Sequence, residues 1–105
     1  MTAQEIILKF KKDVTKYVGG EVTGKGAITG VLEKGCGGQA NRYLVLKVLT
    51  DKTSSKLLTE AEWYALMLLV EPVKPVGGHW TTAKGAEELR AICGTLLTYH
   101  TAQEG

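Results

Sequence analysis

The stretch LLTEAEWYALMLLVEP, residues 57–72, constrains this chain more than any other. Thr59 and Glu62 stand three apart, the spacing of a capping box, in which each side chain satisfies the other residue's backbone N–H. Pro72 has no N–H to donate and stops a helix. Between them Trp63, Tyr64, Leu66, Met67, Leu68, Leu69 and Val70 leave almost no polar face. A helix that is apolar nearly all round must be covered on more than one side. That cover has to come from the rest of the chain or from a partner. With 105 residues, 44% of them hydrophobic, the chain suits one domain with a full core, residues 1–105.

Two more helices are legible. Thr2 and Glu5 form a first capping box, and Ile6, Ile7, Phe10, Val14, Tyr17 and Val18 recur at helical steps, which predicts a helix over residues 2–18. Gly19 and Gly20 end it. A last helix is expected from Thr82 to about Thr101, with Leu89, Ile92, Cys93, Leu96, Leu97 and His100 as its buried stripe. Glu87 and Glu88 suit its positive end. Pro72 to Trp80 reads as a linker.

The segment between the first two helices reads as strands. Eight of the thirteen glycines fall between positions 19 and 38, a density that marks turns. Ala27 to Glu33 is one expected strand. Arg42 to Thr50 is the strongest, with Leu44, Leu46 and Val48 on one side and Tyr43, Val45 and Leu49 on the other. Glu21 to Thr23 and Ser55 to Leu58 add edges. The expected fold class is therefore α+β: an N-terminal helix, a small antiparallel sheet of three to four strands, and two C-terminal helices.

The net charge of +2 is small but unevenly placed. Residues 1–58 carry ten Lys/Arg against five acids, and residues 59–105 carry three against six. Such asymmetry can build a basic face on a nearly neutral protein. Lys25, Lys34, Arg42, Tyr43 and Lys47 would lie on or beside the strands, where cations track phosphates while an aromatic ring stacks on a base. This predicts a non-catalytic binding domain for DNA or RNA. The alternative is a protein-interaction module, an adaptor, inhibitor or assembly subunit. There Trp63, Tyr64 and Leu68 on the apolar helix would meet another protein or a second copy of the chain.

In the order of its elements, the segment 2–71 resembles the double-stranded-RNA-binding domain, which runs helix, three strands, helix. TEAEW stands where that family carries basic residues, so the contact implied there is missing. KLLTEAEWYALMLLVEP is similar to the strand-into-capped-helix rhythm of small single-stranded-DNA-binding coactivators, which lack the helix expected at 2–18. Both are likenesses of shape.

The pattern GGEVTGKG, Gly19 to Gly26, matches the start of a phosphate-binding loop. A working one lies between a buried strand and a helix, with Ser or Thr after its lysine. Here a helix precedes it, a strand is expected after it, and Gly26 replaces the hydroxyl. A helix stop followed by a turn accounts for it better. Cys36, in GCGG, reads as a free thiol in an exposed loop, and Cys93 as a core residue. Cys93 and His100 lie about 10 Å apart on one helix, too far to share a metal ion. His79 and Trp80 read as a loop anchor. No metal, cofactor or catalytic constellation is expected. No apolar run reaches the 18 residues of a membrane span, and the N-terminus lacks the marks of a secretory signal, which suggests the cytoplasm.

Overall fold

Both capping boxes form. Thr2 accepts from the Glu5 N–H at 3.2 Å, and its own N–H donates to Glu5 Oε1 at 3.0 Å. Thr59 and Glu62 do the same at 3.1 and 2.9 Å. The computed structural model, which describes residues 1–71 and 83–104, starts α1 at Ala3–Thr15 and α4 at Glu60–Val70 from these caps. The first helix ends earlier than Gly19. Lys16 is its C-cap, and Gly19 and Gly20 at φ 109° and 95° turn the chain back instead. Pro72 to Trp80, with the expected linker and the His79–Trp80 pair, lies outside the described residues.

The expected sheet is corrected. Among the described residues there is no strand, and the architecture is all helical. The residues assigned to the sheet form α2, Lys25–Cys36, and α3, Gln39–Thr50. Glu21 to Thr23 is irregular, and Ser55–Leu57 is a single 3₁₀ turn. The buried positions explain why. Ile28, Val31, Leu32 and Cys36 in α2, and Arg42, Val45, Leu46 and Leu49 in α3, recur at three- and four-residue steps. Each set forms one stripe on a helix.

Glycine punctuates these helices rather than strands. Gly37 adopts φ 85° and donates its N–H to Glu33 O at 3.0 Å, while Gly38 N–H reaches the same carbonyl at 3.0 Å. A left-handed residue is the usual way to close a helix, and it turns the chain here from α2 into α3. Asp51 closes α3 in the same conformation at φ 61°, a position that disfavours most non-glycine residues.

α4 is the most apolar of the described helices. It packs against α1 and α2, and α5, Ala83–Glu104, packs against α1, α2 and α3. No residue of α4 is exposed. α1 and α2 cover it from within the chain, while Tyr64, Met67, Leu68 and Leu69 stay half-buried. Ile28, Leu32, Leu46, Leu66, Leu89 and Leu96 are the fully buried large side chains at the centre. Leu89, Cys93 and Leu96 form the buried stripe of α5, as the spacing implies, while Ile92, Leu97 and His100 are half-buried. No described helix is long and apolar enough to cross a membrane.

Candidate functional site

A groove opens between α1, α4 and α5. At its deep end lies a cavity of about 240 Å³. Ile6 and Phe10 of α1, Leu68 and Leu69 of α4, and Ile92 of α5 supply its apolar wall. Ile6 and Phe10 are set one turn apart, so α1 presents a short ridge to the space. The cavity continues past Met1 and Ile6 onto Ala91 and Thr95. From there a shallow trough follows α5 past Gly94, Thr98 and Ala102, with Ala3 opposite. From Glu88 to Ala102 the groove spans fourteen helical steps, about 21 Å.

The rim is charged. Asp13 is 4% exposed and is held by Lys9 at 2.8 Å and Lys16 at 3.6 Å. On the other side Glu88 is exposed and makes no ion pair among the described residues. The rim thus carries a positive excess on the α1 side, two lysines against one carboxylate, and a negative charge at Glu88 on the α5 side.

Leu68, expected as a partner contact, lines the cavity. Trp63 does not, being buried against the core at 8% exposure. Tyr64 is half-buried and meets Tyr17 with ring centroids 6.1 Å apart. The basic residues fall on two helices, Lys25 and Lys34 on α2 and Arg42 and Lys47 on α3. Lys25 begins α2 and is engaged by Glu60, its ammonium lying 5.9 Å from the Trp63 ring centroid. Arg42 is buried, with Nε 3.4 Å from Glu33 Oε1 but in no hydrogen bond, and with its guanidinium 4.8 Å from the Tyr43 ring. Lys34, Tyr43 and Lys47 are exposed on α2 and α3. Because these segments are helices, there is no basic strand surface.

The phosphate-loop pattern gains an answer. A helix, not a strand, follows Lys25. The loop does hold an anion, but it is the carboxylate of Glu60, which accepts from the Val22 N–H at 2.8 Å and from the Lys25 ammonium. The Lys25 hydrogen bond, aided by that of Val22, holds Glu60 below the usual carboxylate range. At Glu62 burial opposes ionisation, yet hydrogen bonds from Lys52 and the Thr59 backbone outweigh it and the net direction is also down.

Cys36 is not in an exposed loop. It ends α2 at 5% exposure, and its sulfur lies 3.1 Å from that of Cys93 at 1% exposure. Fifty-seven positions separate them in sequence, and no spacing rule brings them together. The groove was partly legible. Ala91, Gly94, Thr95, Thr98 and Ala102 recur at three- and four-residue steps, a stripe of small residues on one helical face. No group of three or more potential metal ligands occurs among the described residues.

Comparison with protein-family models, with curated proteins and with solved structures finds no match for this chain.

Proposed function

We propose that the chain is a protein-interaction module that receives an amphipathic helix of a partner protein in the groove between α1, α4 and α5. The observation that carries this reading is the continuity of an apolar cavity of about 240 Å³ with a trough floored by small residues. An anchor side chain such as Leu, Phe or Trp enters the cavity, and the small floor lets the incoming backbone lie close. This is the helix-in-groove mode, read as apolar anchors at helical spacing. A trough of about 21 Å suits about fourteen residues of helix. The unpaired Glu88 at the mouth favours a basic residue beside the anchor.

The test is a selection of helical peptides from a random display library on the immobilised chain. Binding is then compared between the native chain and Ala91→Arg, a substitution at an exposed position on the groove floor. The expected result is peptides with apolar residues at three- and four-residue steps and a basic flank, whose affinity drops about tenfold or more, that is about 1.4 kcal/mol, on Ala91→Arg. Peptides that bind the variant equally well overturn the reading. So does a dimer that Ala91→Arg dissolves, because the occupant is then a second copy of the chain.

A nucleic-acid reading has its own support in the α2–α3 hairpin. Tyr43 is exposed, with the Arg42 guanidinium at its ring and Lys47 one turn along α3. Fluorescence polarisation with single- and double-stranded DNA and RNA at low salt tests it, since binding through lysines weakens steeply as salt rises. No binding at micromolar protein removes it.

A further inference from the structure

The two thiols sit where α2 crosses α5. The crossing is close because Gly35 has no side chain. A Cβ there would lie 2.5 Å from Leu89 Cγ. With the helices this near, Cys36 at the end of α2 and Cys93 one turn beyond Leu89 meet sulfur to sulfur at 3.1 Å. Asn41 holds the spot from the other side, its Nδ2 donating to the Cys36 carbonyl at 3.0 Å. Packing alone accounts for a single buried thiol, which behaves as a small hydrophobe. It does not ask for two sulfurs in contact beside a buried guanidinium whose Nε has no hydrogen bond.

The electrostatics favour one of the two as the reactive sulfur. In the dithiol the Cys36 S–H donates to the Cys93 sulfur. Once Cys36 ionises, the Cys93 S–H turns to its thiolate, stabilises it and so lowers the Cys36 thiol. Burial opposes this, and the Arg42 charge adds to the lowering. Cys93 moves the other way. Its proton is held in the shared hydrogen bond, and burial and the Cys36 charge push it further up. The thiolate is the nucleophile of thiol oxidation, and the neutral neighbour is the resolving group.

We propose that Cys36 and Cys93 are a redox pair that closes to an intramolecular disulfide when the protein meets hydrogen peroxide. The Cys36 thiolate attacks one peroxide oxygen. An S–O bond forms, the O–O bond breaks, and hydroxide leaves and takes up a proton to become water. Cys93 then attacks the sulfur of the resulting sulfenic acid. The S–S bond forms, the S–O bond breaks, and the hydroxyl leaves as water with the Cys93 proton. Two thiols lose two electrons and two protons, and one peroxide becomes two waters. The sulfurs need to approach by about 1 Å to reach the about 2.05 Å of a disulfide. A dithiol reductant reverses the reaction. Closure would tether the end of α2 to α5, the helix that carries the floor of the groove, although the redox chemistry does not depend on what the groove binds.

The test uses the unmodified chain. It is treated with peroxide either folded or unfolded in urea, quenched, unfolded, alkylated and mapped by mass spectrometry. The expected product of the folded chain is a single intramolecular Cys36–Cys93 disulfide. Its yield relative to sulfinic acid, sulfonic acid and intermolecular disulfide should be about tenfold or more above that in urea, because folding raises the effective concentration of one thiol at the other. The oxidised chain should melt at a higher temperature than the reduced chain, and dithiothreitol should return the original midpoint. Over-oxidised or unreacted cysteines without the Cys36–Cys93 bond, an equal yield in urea, or a lower melting temperature after oxidation would each overturn the proposal.

Discussion

Gly35→Ala should destabilise the protein although it replaces a helical glycine by the best helix former. The Cβ it adds would sit 2.5 Å from Leu89 Cγ and 2.6 Å from Leu89 Cδ2. Carbon atoms in contact settle at about 3.5–4.0 Å, so about 1 Å of movement is needed. Leu89 is 2% exposed and has no open side to move into. Overpacking of this size costs about 1–3 kcal/mol. The gain in helix propensity is about 1 kcal/mol. The net expectation is a loss of up to about 2 kcal/mol. Gly30→Ala, in the same helix, meets nothing within 4 Å, and should stabilise by up to about 1 kcal/mol. Removing the obstacle should reverse the sign. In a Leu89→Ala background, itself lower by about 2–5 kcal/mol, Gly35→Ala should stabilise. Urea unfolding followed by far-ultraviolet circular dichroism gives all four values. Gly35→Ala as stable as Gly30→Ala, or no reversal in the Leu89→Ala background, would refute the close crossing of α2 and α5.

Three further outcomes follow from the caps and charges. Thr59→Ala removes one half of the α4 capping box and should lower stability by about 1 kcal/mol in the same urea assay. Glu60 titrates below its ordinary value of 4.5 in the folded protein, so its contribution is present above that value and is lost as the pH falls through the folded one. The stability difference between the native chain and Glu60→Gln, measured across pH 3–7, a window of about four units around the usual carboxylate range, should therefore shrink on the acid side. A constant difference would count against the Val22–Glu60–Lys25 link. Arg42→Met replaces a buried guanidinium by an apolar chain, and Glu33 can turn to water because its side chain is 44% exposed. Stability should be unchanged or higher, while alkylation of Cys36 slows because the positive charge beside its thiol is gone.

What the sequence disclosed was local. The Thr2–Glu5 and Thr59–Glu62 boxes act between residues three apart, so their spacing alone locates two helix starts. The nearly all-round apolar character of Trp63 to Val70 implied a helix covered on more than one side, and α1 and α2 both pack on it, while Leu68 and Leu69 face the groove. Residues 24–50 misled because two signals coincide there. YLVLKVL carries apolar residues at both even and odd positions, so alternation and a helical stripe fit equally well, as is usual for short apolar runs. Gly26 and Gly30 lie on the exposed face of α2, where a missing side chain leaves no gap in the core. Their density reads as turns only if that face is ignored. The site was less visible. Leu68 lay within reach of sequence reasoning, but the cavity it lines needs Phe10 and Ile92 from helices at opposite ends of the chain. The contact between Cys36 and Cys93 is likewise a property of the α2–α5 crossing.

Because α1 finds its cover on α4 and α5, it depends on helices synthesised after it. Glu60 lies forty-five positions after Thr15, which at about 5–20 residues per second is a wait of about 2–9 s on the ribosome. Throughout that interval Ile6 and Phe10 lack the α4 and α5 side chains that line the cavity with them. The lysines that alternate with them along α1 then serve the nascent chain, keeping an oily stripe dispersed until its partners emerge.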